Sequence, residues 1–456
     1  MLDLYKNIFF IGIAGAGMSA IAQYLKGIGK EVSGSDRYFT ADNQNDVRNK
    51  LEAEGIKCFV QDGSGIGHDT DLVVVSTAIE DTVFEVQKAK ELNITIRKRS
   101  EVLAMITDSK RTIAVGGTSG KSTTSAMIFQ ILEYAGWQPS IISGAGLTSI
   151  IKQGKIGNAK VGSGDWLVIE ADESDGSIVQ YKPEIGLLLN VDKDHQEIDE
   201  LMQIFSTFRD NTQKTFISNQ SNALAAKISV DINNDFSVDE NSACGFVGEN
   251  FIQNGFHIQF EVHNQAFELR TVGRHNMENA LAAIAVCAKV GVDFATASDA
   301  LRHYEGIYRR HQIVGEKHGV LLIDDYAHNP AKCAAAIRAC QPLSHKVVAW
   351  FQPHGYKPTK FLRHDFVHEI ADSLRPDDEI WMSEIFYAGG TAVKDISAAD
   401  LVTDIQHLGK KAFFVDNRAN FVAQVQPHLA PGTVLLLMGA RDPSLEYFAN
   451  EVLAEL

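Results

Sequence analysis

From Val115 to Met127 the chain reads VGGTSGKSTTSAM: an apolar run, then glycines, one lysine and a string of hydroxyls. Those residue types in that order suit a phosphate. Glycines let backbone N–H groups face an anion, and the start of a following helix adds partial positive charge. Lys121 can reach terminal phosphates, and the Ser122 hydroxyl can ligate Mg²⁺, with Thr123 beside it. The loop, from Gly117 through Thr118, Ser119 and Gly120, departs from the strict GxxxxGK[ST] pattern, because Val115 stands where the first glycine belongs. A glycine turn with a solvated lysine is the plain alternative; GKSTT behind a strand favours a nucleotide.

Two acidic segments follow. EADESDGS ends one apolar run with Glu170, Asp172, Glu173 and Asp175, and NVDKDH ends another with Asp192, Asp194 and His195. Carboxylates this dense repel one another unless water, helix ends or a cation relieves them. In an open α/β sheet ligands gather beyond the carboxyl ends of the strands, where these segments and the lysine loop all fall. Together these carboxylates and His195, beside the Ser122 hydroxyl, read as Mg²⁺ ligands for ATP. His195 serves there directly, through water, or by orienting a carboxylate.

A second glycine loop, GIAGAGMSA, carries G-x-G-x-x-A at Gly15, Gly17 and Ala20, and Asp36 closes the next strand where a ribose-binding acid would sit. Alone it suggests NAD, and hence an oxidoreductase; it equally suits any diphosphate-bearing nucleotide, or a structural turn.

These loops need strands and helices to hold them. Strand, glycine-rich turn and helix recur three times, at NIFFIGIAGAGMSAIAQYLKGIG, RTIAVGGTSGKSTTSAMIFQILEYAG and GVLLIDDYAHNPAKCAAAIRAC. The fold class is α/β in three domains: a doubly wound, Rossmann-like one over 1–107, a central P-loop ATPase-like one over 108–309, and a Rossmann-like C-terminal one over 310–456. Eight of the ten prolines lie at or beyond Pro330, a shift in composition that supports the last boundary. At 456 residues the chain exceeds one ordinary core. With 45% hydrophobic and 22% charged residues the composition is that of a soluble globular protein. A net charge of −16 argues against broad binding to nucleic acid or acidic membranes. No apolar run reaches spanning length and the N-terminus shows no signal pattern, so the expected location is the cytoplasm. The five cysteines are scattered with no CxxC pair and read as reduced core thiols.

GIAGAGMSAIA, VSGSD, VSTAI, GTSGKSTT, EADESDGS, NVDKDH, GRHNMENALAA, YRRHQIVGE, DDYAHNP and FQPHGY, in this order, resemble the Mur ligases, ATP-dependent amide-forming enzymes of peptidoglycan synthesis. The match covers nearly the whole chain and stands nearest the branch that joins L-alanine to UDP-N-acetylmuramate. The resemblance implies that the first domain holds the UDP part of the substrate through Gly15, Ala16, Gly17, Met18, Ser19 and Asp36, with Ser76, Thr77 and Arg99 in matching segments. It implies ATP on the lysine loop, a magnesium glutamate at Glu170 and a second-metal histidine at His195, with Ser122 and Glu173 completing the expected metal set. His275, Asn276 and Asn279 match an adenine-side motif; Arg310, Asp325 and Tyr326 match residues brought to the nucleotide by the C-terminal domain. His328 and His354 fall where the incoming amine is expected, and either could be the general base. A monomer or homodimer is expected.

The chain departs from the alanine-adding pattern in places. GTHGKT becomes GTSGKS, with Ser119 and Ser122; FQPHRYTRT becomes FQPHGYKPT, with Gly355 and Pro358 for two arginines. Lys357, Lys360 and Arg363 stand nearby as substitutes for that charge. A DIYPAGE-like segment loses its last carboxylate at Gly390, and GAGD gains Arg441. The sibling that adds a tripeptide to the same nucleotide sugar, a Mur-like ligase with another acceptor, an NAD-dependent oxidoreductase and a non-catalytic nucleotide-binding regulator are the other readings.

Overall fold

The computed structural model describes residues 2–40, 45–77, 79–192, 197–387 and 393–456. The first sheet contains β1 (Asn7–Ile11), β2 (Glu31–Asp36), β3 (Lys57–Val60), β4 (Leu72–Val75) and β5 (Thr95–Lys98). Its order is β3-β2-β1-β4-β5, and every pairing is parallel. Neighbouring Phe9 and Phe10 point to opposite faces of β1 yet both are fully buried, so helices must cover both sides. The strand order turns at β1, and the glycine loop leaves β1 at that switch to enter the helix Ala16–Gly27.

The second sheet holds β6 (Arg111–Gly116), β7 (Ser140–Ile142), β8 (Ala159–Lys160), β9 (Trp166–Glu170), β10 (Ile185–Leu188) and β11 (Thr215–Ser218). The order is β11-β10-β6-β9-β7-β8, parallel except for β8 against β7. β6 therefore lies between β9 and β10, and its carboxyl end meets theirs. Beyond it come two short pieces, β12 (Phe236–Ser237) with β13 (Phe246–Val247), and a three-stranded sheet of β14 (Glu249–Asn254), β15 (His257–Val262) and β16 (Gln265–Leu269). The apolar helix Arg274–Val290 follows.

The chain forms two compact units. The first holds both sheets above: the chain up to Phe251, with Gln259–Leu269 and His275–Tyr308. One apolar core runs through its two sheets, from Phe10 and Tyr24 to Ile169 and Phe205. A buried polar knot also ties them. Asn158 Nδ2 donates to Ala16 O (2.7 Å) and Ser19 Oγ (2.9 Å), and its Oδ1 accepts from Gln23 Nε2 at 2.7 Å. Buried amides cost free energy unless satisfied, so this knot fixes the glycine-loop helix on the second sheet.

The second unit comprises Ile252–Ile258, Arg270–Arg274 and Arg309–Leu456. Its sheet holds β17 (Gln312–Lys317), β18 (Val320–Asp325), β19 (Lys346–Phe351), β20 (Glu379–Ser383), β21 (Lys411–Val415) and β22 (Thr433–Met438). The order is β17-β18-β22-β19-β20-β21, parallel apart from β17 against β18. The two short segments ahead of Arg309 join this unit because Phe256 packs on its core and Gln253 Oε1 accepts from Gly273 N at 2.9 Å. No helix among the described residues is long and apolar enough to cross a membrane.

Candidate active site

The lysine loop runs from the end of β6 into the helix Lys121–Tyr134. Gly120 caps that helix at φ +82°, in the left-handed region, and no side chain caps its first N–H groups. A Cβ at Gly120 would stand 2.5 Å from Asn279 Oδ1, so the loop needs glycine for conformation and for room. An uncapped helix start behind a glycine is an anion cradle, and the loop residues fit a nucleotide phosphate.

Lys121 is folded back into its own loop. Its Nζ donates to Gly117 O and to Glu173 Oε2, both at 2.7 Å, with Asp172 Oδ1 at 4.0 Å. Burial works against the ammonium, but Glu173, Asp172 and Glu170 outweigh it and hold the Lys121 pKa above its ordinary value. Lys121 is therefore a fixed positive charge at neutral pH. Asp172 is only half-buried, and Lys121 and the Ser174 donors outweigh its partial desolvation and hold its carboxyl below the usual range.

Glu170 ends β9 opposite Val115 of β6. Its Oε2 accepts from Ser122 Oγ at 3.0 Å; its Oε1 accepts from Ser143 Oγ at 2.5 Å and Gly144 N at 2.7 Å. Lys121, Ser122 and Glu170 thus converge at adjoining strand ends. Among the described residues no three His, Cys, Asp or Glu side chains group as a metal cage. A hard cation that keeps waters and shares phosphate oxygens needs only one or two protein oxygens, and Ser122 Oγ beside Glu170 Oε2 fits that requirement. Glu173 is turned to Lys121, and His195, Asp194 and Gly390 lie outside the described residues.

The residue sequence reasoning missed is Asn190, just beyond β10. Its Oδ1 accepts from Thr118 Oγ1 and Ser119 N, both 2.9 Å, and its Nδ2 donates to Ser119 O at 3.2 Å. It clamps both sides of the loop. NVDKDH drew attention to its charges, whereas an asparagine at the end of a strand beside β6 was the sign to read. Thr118 also accepts from Asp192 N at 3.1 Å. Thr123 lies on the first turn of the helix. From the helix Arg274–Val290, Asn279 Oδ1 accepts from Thr124 Oγ1 at 3.3 Å, and its Nδ2 donates to Asn276 Oδ1 at 3.3 Å. Asn276 Nδ2 lies 3.2 Å from His275 Nε2. All three motif residues therefore join the lysine-loop side of the unit.

On the first sheet Gly15 begins the helix Ala16–Gly27 with no side-chain cap. Asp36 is buried and faces the loop: its Oδ2 accepts from Ala14 N at 3.0 Å and its Oδ1 from Tyr38 N at 3.1 Å. It shapes the glycine loop, with each carboxylate oxygen accepting one backbone N–H there. Met18 is buried in the core and Ser19 Oγ donates to Ala16 O, so Gly15, Ala16 and Gly17 offer backbone rather than side chain. Ser76 and Thr77 follow β4 at the switch, half-buried and exposed. Arg99 lies against Gly17 and pairs with Asp175 at 3.4 Å.

In the second unit two neighbouring arginines divide the work. Arg309, at φ +55°, is buried and grips Asp324 through Nε (2.7 Å) and Nη2 (3.2 Å). Arg310 lies with its guanidinium 5.2 Å from the centre of the Tyr326 ring. Asp325 is buried, accepting from His311 N at 2.7 Å and Ala327 N at 2.8 Å. The His328 ring stands 5.8 Å from that of His354, and His328 Nδ1 lies 2.9 Å from Tyr326 O. Burial pushes His328 down to about 3, with Lys332, Arg310 and His354 adding to the effect. Gly355 sits at φ +74° ahead of the helix Tyr356–Phe361. Lys360 pairs with Asp395, and Arg363 with Asp404 at 2.7 Å; Lys357 and Arg441 are exposed.

Residues 7–111 match the Mur ligase family catalytic domain, 115–287 the Mur ligase middle domain, and 309–441 the Mur ligase glutamate ligase domain. The chain belongs to the Mur ligase family, a family of ATP-dependent ligases. It is 35% identical to a UDP-N-acetylmuramate–L-alanine ligase of Dictyoglomus turgidum, over 95% of this chain and 94% of the relative. It is 32% identical to the enzyme of that name from Carboxydothermus hydrogenoformans, over 95% of this chain and 93% of the relative. The crystal structure of UDP-N-acetylmuramate–alanine ligase from Thermotoga maritima superimposes with a TM-score of 0.80 at 25% identity, covering 98% of each chain. The glycine loop of the first sheet is thus that of a ligase, and the oxidoreductase and non-catalytic readings fall away.

Proposed function

We propose that this protein joins L-alanine to the carboxylate of UDP-N-acetylmuramate at the expense of ATP, in the assembly of peptidoglycan precursors. The observation that carries the reading is the convergence of Lys121, Ser122 and Glu170 at the ends of β6 and β9. It is supported by full-length relatives that bear that activity in their names. A carboxylate is a poor electrophile at neutral pH, so the sugar acid first takes the terminal phosphoryl group of ATP as an acyl phosphate. The amine then attacks the acyl carbon, and phosphate leaves with the amide formed.

The chain positions and neutralises charge. Lys121 supplies a permanent cation to the terminal phosphates, and the first N–H groups of the helix Lys121–Tyr134 face the rest. Ser122 and Glu170 would hold Mg²⁺, which screens phosphoryl charge when bound. Asn276 and Asn279, tied to the lysine-loop helix through Thr124, are assigned to the base side of the nucleotide. Gly15 to Gly17 present backbone to the diphosphate of the sugar nucleotide, with Arg99 beside them. Arg310, standing on Tyr326, suits developing phosphoryl charge, while Arg309 and Asp325 hold that segment in shape. With its pKa near 3, His328 is a neutral hydrogen-bonding group, so of the two histidines His354 is assigned the amine proton. Use of ATP and a nucleotide sugar places the reaction in the cytoplasm.

A second reading, a larger amine such as a tripeptide, rests on Gly355 and Pro358, where the alanine-adding pattern has arginines. Lys360 and Arg363 are committed to Asp395 and Asp404 and do not replace them. ADP release with UDP-N-acetylmuramate, ATP and Mg²⁺ separates the readings. L-alanine is expected to support turnover above L-serine and glycine; turnover with the tripeptide alone would transfer the assignment to the larger acceptor.

A further inference from the structure

Lys121 of the second sheet and Arg99 of the first are joined through one turn. Arg99 opens the helix Arg99–Thr107, and its Nη1 lies 3.0 Å from where a Cβ of Gly17 would be. The guanidinium thus rests against the start of the helix proposed to receive the diphosphate. Its Nη2 donates to Asp175 Oδ2 at 3.4 Å, and both side chains keep about a fifth of their surface in solvent (23% and 20%). Asp175 sits on a closed turn, with Gly176 N donating to Glu173 O at 2.9 Å. Its other oxygen accepts from Ser177 N at 2.9 Å, and Asp172 Oδ1 accepts from Ser174 N at 3.1 Å. Glu173, two residues away on the same turn, holds Lys121 Nζ. Two cations, one beside each loop, are therefore held by carboxylates of a single hydrogen-bonded turn.

We propose that Asp175 is a positioning residue that couples the two nucleotide sites, because an anion bound at the Gly15–Gly17 loop competes with it for Arg99 and loosens the turn that holds Lys121. The inference rests on the functional reading above. A diphosphate on the helix start is a stronger partner for Arg99 than a carboxylate at 3.4 Å. Once Asp175 is released, the turn can carry Glu173 off Lys121, and the ammonium becomes available to ATP. Each ligand then tightens the other by the same factor, as linkage requires.

The test is calorimetric titration of a non-hydrolysable ATP analogue with and without saturating UDP-N-acetylmuramate, alongside turnover. The intact protein should bind the analogue about fivefold or more tightly when the sugar nucleotide is present. Asp175→Asn should bind it tightly without the sugar nucleotide, and the ratio should fall towards one; Asp175→Glu should restore most of it. A merely structural role would weaken the analogue in both conditions rather than tighten it. A wild-type ratio near one, or an undiminished ratio in Asp175→Asn, overturns the coupling and leaves the ligase reading standing. Failure of the wild-type protein to turn over or to bind the sugar nucleotide overturns both.

Discussion

Replacing Asn190 by alanine removes three hydrogen bonds from the lysine loop and nothing from the nucleotide's direct contacts. Its Oδ1 accepts from Thr118 Oγ1 and Ser119 N, and its Nδ2 donates to Ser119 O. At about 0.5–1.5 kcal/mol net for each bond, the three together order the loop by about 1.5–4.5 kcal/mol. The site is only partly buried, so water recovers some of this and the lower half of that range applies. Each 1.4 kcal/mol is roughly tenfold, so the ordered loop should become about 10- to 100-fold rarer. Apparent affinity for an ATP analogue falls by the same factor, while UDP-N-acetylmuramate, for which the first sheet is the proposed site, binds within about twofold of wild type. Isothermal titration with each ligand separately reads both quantities. Asn190→Asp keeps the two acceptor contacts but sets an oxygen against Ser119 O, so it should fall between wild type and alanine. If Asn190→Ala binds the analogue as tightly as wild type, the clamp is incidental and the loop is ordered by other means.

The two neighbouring arginines should separate cleanly. Arg309→Leu strands buried Asp324 and should cost about 3–5 kcal/mol in denaturant titration, whereas Arg310→Ala should leave the unfolding midpoint in place and lower kcat. Glu85 is fully buried, and burial raises its pKa despite the bond from Ser35 Oγ. The folded state therefore holds its proton more firmly than the unfolded chain, and that stabilisation is lost as pH rises through the raised value. Thermal melts should show wild type losing more stability from pH 5 to pH 8 than Glu85→Gln does; identical slopes would remove Glu85 from the account. His328 has the opposite sign: its pKa is depressed to about 3, so its contribution is present above the unfolded value of about 6.5 and fades as pH falls towards 3. Imidazole NMR should find His328 neutral down to at least about pH 4; titration near 6.5 would return it as a candidate base.

Much of this arrangement is legible in sequence because it is written in local pattern. Strands such as NIFFI and TVLLLM are buried on both faces and read as unbroken apolar runs, and the glycines behind β1 and β6 mark where the chain must turn tightly. β17 escapes such reading: it is half-buried along most of its length, without alternation, and its antiparallel place at the sheet edge comes from pairing with β18. The clamp of Asn190 and the knot at Asn158 are equally silent, since each depends on residues about seventy or more positions apart meeting across strands. Arg309 and Arg310 look alike in YRRH, and both guanidiniums stand near the Tyr326 ring, 5.5 and 5.2 Å from its centre; the structure separates them by burying Arg309 against Asp324 and leaving Arg310 half-buried. The acidic run EADESDGS shows the same limit. Its four carboxylates have different protein partners: Glu170 meets Ser122 and Ser143, Glu173 and Asp172 share Lys121, and Asp175 meets Arg99.

The most direct test of carboxylate activation at this loop follows an oxygen atom. UDP-N-acetylmuramate labelled with ¹⁸O in its carboxylate is turned over with ATP and L-alanine, and the released phosphate is weighed by mass spectrometry. An acyl phosphate transfers one carboxylate oxygen to phosphorus before the amine displaces it, so each phosphate should carry a single ¹⁸O, and Lys121→Ala should release none. Unlabelled phosphate from a productive turnover would contradict the account.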